Sequence, residues 1–203
     1  MLYELHVLFK YIEDYCIVQW NKKNNKNYKL SCFLGPLFYF TNGMRTPCHM
    51  DILCAMNFCF FIEGLQDRIV AIWTIFKRAN YAHINATISK YAGKDEGLIY
   101  YGQKENLERD KLHGIESKFF FFTDNFLIKH FANMYTTVEQ KLGETVVIPC
   151  GCAHQLENFG YSLKVATDFA LRRCLPHLIE LATLNKECND KINPLLLRIN
   201  GHT

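Results

Sequence analysis

A histidine and an aspartate lie two residues apart in a stretch whose pattern predicts a β-strand. Residues 45–51 read RTPCHMD, so His49 and Asp51 flank Met50. Side chains at positions i and i+2 of a strand share a face and are roughly 6.5 Å apart, so both can bind one ion while Met50 points away. This spacing predicts a metal site, and a redox metal would need a third ligand from another part of the chain.

A second histidine lies far along the sequence, just after a predicted strand at residues 145–149. It is His154, within the segment CGCAHQLEN at 150–158. Two ligands from one strand and one from a distant strand leave coordination positions open, as in the two-histidine, one-carboxylate facial triad of non-haem Fe(II) enzymes. The nearby cysteines offer an alternative, because a closed structural zinc site can be built from cysteine and histidine. Its ligands would come from Cys48, His49, Cys150, Cys152 and His154.

Composition favours a mainly β frame around these ligands. The 203 residues suffice for one domain with a single core, and 49% are apolar and 14% aromatic, with 16 Phe and 11 Tyr. A formal net charge of +3 is too small to predict a nucleic-acid site, and the NKKNNKN run at 21–27 predicts a solvated loop. Nine irregularly spaced cysteines, no secretory signal pattern and no apolar run near ~18 residues predict a soluble intracellular protein with no membrane partner.

The periodicity divides the chain into three parts. Residues 1–34 hold a predicted helix (2–20) and the Lys/Asn-rich loop, residues 35–185 a barrel with flanking helices, and residues 186–203 a tail. Within the barrel region the pattern predicts strands at 37–40, 49–62, 69–76, 119–122, 145–149 and 163–169, helices at 77–91, 124–132 and 175–185, and a loop at 93–102. In the long strand at 49–62, His49 and Asn57 share a face.

The motifs around the three ligands resemble those of the JmjC family. Residues 140–158 read QKLGETVVIPCGCAHQLEN and residues 163–169 read LKVATDF, and both segments closely resemble the histone H3 lysine-nine demethylase branch. Three further segments follow in that branch's order: LGPLFY at 34–39, TPCHMD at 46–51 and WTIF at 73–76. The resemblance implies a double-stranded β-helix, the jelly-roll or cupin-like barrel of Fe(II)- and 2-oxoglutarate-dependent dioxygenases.

The resemblance also implies the site and the reaction. His49, Asp51 and His154 would be the iron ligands, with 2-oxoglutarate and O2 as cosubstrates. The implied enzyme is a histone lysine demethylase that oxidises N-methyl groups and releases formaldehyde and succinate. Its partners would be a methylated histone tail or another protein substrate and chromatin, and its location the nucleus.

The distal carboxylate of 2-oxoglutarate needs a cation, because burying an unpaired carboxylate is costly. Many JmjC proteins place a lysine after the H-x-D pair, where this chain has Gln66 and, two residues on, Arg68. Lys164 is the preferred candidate, because it shares parity with His154 and would lie across from the ligand strand in a hairpin. Thr46 and Asn57 are hydrogen-bonding candidates for the cosubstrate.

Two other functions are compatible with the same motifs. One is a JmjC protein hydroxylase, and the other is a catalytically inactive JmjC module that binds chromatin partners, which the Gln66 departure allows. The substrate lysine, its methylation state, the oligomeric state and the need for an upstream zinc-finger region stay open.

Overall fold

The computed structural model describes residues 37–169 except residues 52, 61–64 and 66. The predicted N-terminal helix and loop, the closing helix at 175–185, the tail, Gln66 and the boundaries between the three predicted parts lie outside the described residues. In the described part, no helix is both long enough and apolar enough to cross a bilayer.

The described chain is built mainly from antiparallel strands. In chain order the elements are β1 (Leu37–Asn42), β2 (Arg45–Met50), β3 (Cys54–Cys59), β4 (Ile69–Phe76), α1 (Tyr81–Tyr91), β5 (Leu98–Tyr100), α2 (Leu107–His113), β6 (Phe120–Phe122), α3 (Asp124–His130), β7 (Tyr135–Lys141), β8 (Thr145–Ile148), β9 (Ala153–Asn158) and β10 (Tyr161–Phe169). The first sheet has the strand order β1-β10-β3-β8, the second β2-β9-β4-β7, and β5 pairs with β6 in a small ribbon. This mainly β jelly roll confirms the predicted fold class.

The two four-stranded sheets enclose a shared apolar core. Ala55, Val146 and Ile148 of the first sheet pack in one cluster with Ala71, Trp73 and Leu156 of the second. Residues directly opposite one another in an antiparallel pair share a face, so the strand registers show which other side chains point inward. These inward positions form the lumen of the barrel.

A second core lies between the second sheet and the helices. Phe76 of β4 makes edge contacts with Phe122, at 5.7 Å between ring centroids, and with Phe131, at 5.2 Å. Phe120 and Phe122 are buried as predicted, whereas Phe119 is 37% exposed. The loop predicted over 93–102 was wrong at β5, because a three-residue strand is too short to show a periodic pattern. This core supports the strand that lies beside His154.

The single strand predicted over 49–62 was wrong. Strand β2 belongs to the second sheet and β3 to the first, and Asp51 lies in the link between them. The chain must change sheets there to close the barrel, and the apolar sequence carries no glycine or proline to mark the break. His49 and Asp51 are therefore brought together by a bend and not by strand parity.

Gln140 ties the two sheets together at one end of the lumen. Its side chain is fully buried, its Oε1 accepts a 3.0 Å hydrogen bond from Trp73 Nε1, and its Nε2 donates to the backbone oxygens of Asn57 (3.0 Å) and Glu144 (3.1 Å). A buried polar group that loses its partner costs roughly 1–3 kcal/mol.

We therefore expect Gln140→Ala to lower the free energy of unfolding by about 3 kcal/mol or more, because one donor and two acceptors lose their partner. Urea unfolding measures the change. The matched control is Glu139→Ala, an exposed position on the same strand, for which we expect a change within about 0.5 kcal/mol. Equal effects of the two variants would contradict the role of Gln140.

Candidate metal centre

His49 and His154 lie directly opposite each other on paired strands. Strand β2 pairs with β9, and the register places His49 against His154 with ring centroids 4.3 Å apart. The register shifts between Thr46 and His49, so Thr46 lies opposite Leu156 of the apolar core. This irregularity turns both Thr46 and His49 toward the lumen, although they are three residues apart.

Asp51 brings its carboxylate to the two imidazoles from the link after β2. Its Oδ2 lies 3.5 Å from His154 Nε2, and its Oδ1 lies 4.0 Å from His49 Nε2. One ligand atom from each of the three residues lies within 4.8 Å of the others. Gly151 helps to hold the link, because its left-handed φ of 71° accompanies a 3.3 Å hydrogen bond from its amide to the Asp51 carbonyl. The gaps between the ligand atoms exceed hydrogen-bond length and suit a shared ion.

The backbone orients both imidazoles in the same way. His49 Nδ1 lies 2.9 Å from the Pro47 carbonyl oxygen, and His154 Nδ1 lies 3.1 Å from the Cys152 carbonyl oxygen. A carbonyl can only accept, so each Nδ1 donates its proton and each Nε2 lone pair is left to bind a metal. The repeated contact with the residue two positions earlier presents two ligands in matching orientations.

Burial keeps His154 in the form that binds metals. Its side chain is 3% exposed, and burial, together with the neighbouring His49, lowers its pKa to about 4, while Asp51 opposes the shift. The imidazole is therefore neutral at pH 7. Two imidazoles and one carboxylate form the donor set of a non-haem Fe(II) site with open positions. Within the described residues, no cysteine joins this ligand group, which disfavours the zinc alternative.

Lys164 lies in the lumen on the opposite sheet. It is 1% exposed, its Nζ donates a 2.8 Å hydrogen bond to Asn158 Oδ1, and it lies 5.6 Å from the centre of the Trp73 ring. The same Trp73 ring lies 6.0 Å from the His154 ring. Burial lowers the pKa of Lys164 to about 8, so the amine is charged at pH 7. Lys164 forms no ion pair with another described residue, and a buried cation without a counter-ion favours an anionic ligand.

The hairpin geometry predicted for Lys164 was wrong. Strand β9 pairs with β2 and β4, whereas β10 pairs with β1 and β3, so the consecutive strands belong to different sheets. Lys164 points inward because it lies opposite the buried Cys59 on β3. Arg68, the alternative cation, donates to the backbone oxygens of Phe159 (3.1 Å) and Tyr161 (2.8 Å) and so fastens the turn between β9 and β10.

Asn57 also points into the lumen. It lies opposite Ala166 on β10. Ala166 is two positions from the inward-pointing Lys164, and side chains two positions apart on a strand share a face. Its Oδ1 is buried without a hydrogen-bond partner among the described residues. A buried acceptor without a partner is costly, so this amide suits a ligand that donates to it or a bound water.

A comparison with protein-family models identifies the family of this barrel. The family model described as "JmjC domain, hydroxylase" matches residues 70–169, from β4 to the end of β10. The chain carries a JmjC domain. The matched part includes His154 and Lys164, and the barrel adds His49 and Asp51 from strand β2 and the link after it.

The curated relatives of this JmjC domain are lysine-specific demethylases. It is 30% identical over 135 residues to lysine-specific demethylase JMJ27 of Arabidopsis thaliana, covering 63% of the chain and 16% of the relative. It is 23% identical over 194 residues to lysine-specific demethylase 3A of Gallus gallus, covering 74% of the chain and 14% of the relative. With JMJ29 of Arabidopsis thaliana it shares 40% identity over 70 residues, which are 31% of the chain and 8% of the relative. The chain thus spans about one-sixth or less of these relatives.

Three lumen residues of the JmjC domain were missed by sequence reasoning. Asn158 is the hydrogen-bond partner of Lys164, Tyr39 lies opposite Lys164 on β1, and Asp168 lies two positions beyond Ala166 on β10. Burial and the charges of Asp168 and Asp51 raise the pKa of Tyr39. Asn158, Tyr39 and Asp168 all lie within segments that resemble the family, but their positions in the lumen follow from strand pairing in the folded barrel, which spacing along one strand does not reveal.

Proposed function

We propose that this JmjC domain is an Fe(II)- and 2-oxoglutarate-dependent dioxygenase that demethylates lysine in a protein, with a methylated histone tail as its substrate. The single observation that carries the proposal is the pairing, in one lumen, of an open His-Asp-His ligand set with a buried lysine that has no recorded counter-ion in the described chain. The first suits a divalent iron and the second suits the distal carboxylate of a dicarboxylic acid. The relatives' names as lysine-specific demethylases support the substrate class.

Each lumen residue has a distinct role in this proposal. His49, Asp51 and His154 would hold the iron and leave adjacent positions open. Lys164, oriented by Asn158, would pair with the distal carboxylate, and Thr46 and Asn57 would donate or accept hydrogen bonds beside it. When bound, the iron would supply an oxidation by O2 in which 2-oxoglutarate becomes succinate and CO2 and the methyl group leaves as formaldehyde.

The domain supplies geometry and exclusion of water more than acid-base chemistry. Trp73 lies between His154 and Lys164 and belongs to the apolar core of the lumen. An indole at this position shields the charged groups from solvent, which strengthens the electrostatic attraction that Lys164 exerts on an anion. A histone substrate would place the enzyme on chromatin in the nucleus.

Protein hydroxylation is the second candidate. The family model itself is described as a hydroxylase, and the same ligand set would oxidise a carbon that is not attached to nitrogen. A catalytically inactive module is the third possibility, in which the barrel binds chromatin partners without turnover. The three differ in products and not in fold.

The deciding experiment incubates the protein with Fe(II), 2-oxoglutarate, oxygen and methylated histone H3 peptides. We expect succinate and formaldehyde in equal amounts and a peptide that is lighter by one CH2, because each N-methyl group is replaced by a hydrogen. Succinate with a peptide that gains the mass of one oxygen would favour the hydroxylase. If neither succinate nor formaldehyde formed with any peptide, the enzyme proposal would fail and the inactive module would be favoured.

A further inference from the structure

One carboxylate in the lumen is not used by the proposed metal or cosubstrate sites. Asp168 lies opposite Ala55 near the end of β10 and shares parity with the inward-pointing Lys164. The four-residue separation places it roughly 13 Å along the strand from Lys164. Its partner Ala55 follows Asp51 by only four residues, and the charge of Asp51 acts on Asp168, so this end of β10 is the end near the candidate metal ligands. Asp168 therefore lies at the end of the lumen away from Lys164.

The charge of Asp168 is not balanced by a bonded cation. Its side chain is half-buried, and no hydrogen bond or ion pair joins its carboxylate to another residue in the described part of the chain. Burial and Asp51 raise its pKa to about 6, while the exposed Lys118 lowers it without forming an ion pair. The carboxylate is thus ionised at pH 7, and a partly desolvated carboxylate without a partner is unfavourable.

Asp168 is not one of the candidate metal ligands. It lies on a different strand from them and outside the group of three ligand atoms. Tyr39, the other described residue on which both aspartates act, is a neutral phenol at pH 7, since burial and these charges raise its pKa. A cation that reaches Asp168 must come from outside the described lumen.

We propose that Asp168 is a specificity-determining residue that selects a cationic side chain, by pairing with the substrate's ammonium group beside the metal centre. This inference rests on the proposed function and names the substrate class of the same site. A methylated ammonium brings its carbon to the metal while its charge pairs with Asp168. A neutral side chain of the same length leaves the carboxylate unpaired, and a site built for a charge or hydrogen bond rejects a substrate that lacks it.

The test compares the binding of two labelled histone H3 tail peptides, with Mn(II) and 2-oxoglutarate present and oxygen excluded. One peptide carries dimethyl-lysine at position nine, and the other carries norleucine, which keeps the aliphatic stem of lysine and has no charge. We expect wild-type protein to bind the dimethyl-lysine peptide about tenfold or more tightly than the norleucine peptide, because a charge-assisted contact is lost with norleucine. In Asp168→Asn this preference should fall to about threefold or less, because asparagine keeps the shape of the aspartate side chain and removes its charge.

Asp67→Asn is the matched control, because Asp67 is almost fully exposed in the turn before β4, and its preference should equal that of wild type. Asp168→Glu should retain the preference. The inference is overturned if Asp168→Asn keeps the full preference, or if wild type binds both peptides equally or binds neither. If Asp168→Asn does not fold, Asp168→Ser removes the same charge, and a full preference in that variant overturns the inference.

Product formation separates this inference from the proposed function. A charge preference that depends on Asp168 in a protein that forms no succinate or formaldehyde would refute demethylation and keep the cation site. Demethylation with an unchanged preference in Asp168→Asn would keep the proposed function and refute the role of Asp168.

Discussion

Replacing His49 with alanine should abolish metal binding and turnover together while leaving the barrel folded. The His49 imidazole is one of two nitrogen ligands, and its Nδ1 contact to Pro47 is with its own strand, so no other element loses a partner. Wild-type protein should gain about 2.7 kcal/mol of stability when Mn(II) is present at a hundred times its dissociation constant, and the variant should gain none. Thermal unfolding with and without Mn(II), together with calorimetric titration of the ion, measures both effects.

The matched control is His113→Ala. His113 is an exposed histidine at the end of α2 and is not part of the ligand group, so metal binding and turnover should be unchanged. If His49→Ala bound Mn(II) as tightly as wild type, the ligand set would have to be reassigned. The same result would remove the main support for an oxygenase.

Replacing Lys164 with methionine should weaken 2-oxoglutarate binding by a factor of about 100 or more, because breaking a buried ion pair costs roughly 3–5 kcal/mol. Metal binding should be unchanged, because Lys164 contacts Asn158 and Trp73 and not the ligand group. The measurements are the 2-oxoglutarate concentration that gives half-maximal succinate formation and the calorimetric titration of Mn(II). Unchanged dependence on 2-oxoglutarate would transfer the anchoring role to Arg68.

The same variant should be more stable than wild type when no cosubstrate is bound. Burial lowers the pKa of Lys164 from an ordinary 10.5 to about 8, so the folded state binds the proton less tightly than the unfolded state. Each pKa unit corresponds to roughly 1.4 kcal/mol, and the loss of the bond to Asn158 offsets part of the gain, so we expect about 1–2 kcal/mol. Below pH 8 the lysine is charged in both states and the difference is full. It should shrink between pH 8 and 10.5, where the folded lysine has lost its proton and the unfolded lysine still keeps its own.

Urea unfolding of both proteins at pH 7 and pH 10 measures this dependence. Lys90→Met, an exposed change on α1, is the control and should show no comparable trend. A Lys164→Met variant that was less stable than wild type at pH 7 would show that the amine contributes more through its hydrogen bond than its burial costs. A stability cost of keeping Lys164 for ligand binding would then be excluded.

The three candidate metal ligands were identified from sequence because their signal is local. His49 and Asp51 are two residues apart, and His154 lies in a segment with many identifiable neighbours, so residue type and resemblance pointed to the same three positions. The structure brings them together as expected. The proximity of His49 and Asp51 was predicted from one continuous strand, but a bend between the two sheets brings them together.

The surroundings of the metal centre could not be predicted because they depend on contacts across the barrel. Lys164 was expected to point inward from a hairpin, but its position results from pairing with β3 in the other sheet. No periodic pattern in the sequence marks its partner Asn158 or the lumen carboxylate of Asp168. Only the fold shows that Asn158 orients the Lys164 amine and that Asp168 has no bonded cation in the described part of the chain.

The position of Asp51 in a link between sheets also bears on how such domains can evolve. The two histidines belong to paired strands, whereas the Asp51 carboxylate supports no strand pairing, and within the described chain its recorded side-chain contacts are with the two histidines. A substitution there would remove a metal ligand and leave the hydrogen bonds of both sheets in place. A barrel of this kind could therefore lose its candidate metal site by a single residue change and keep both of its sheets.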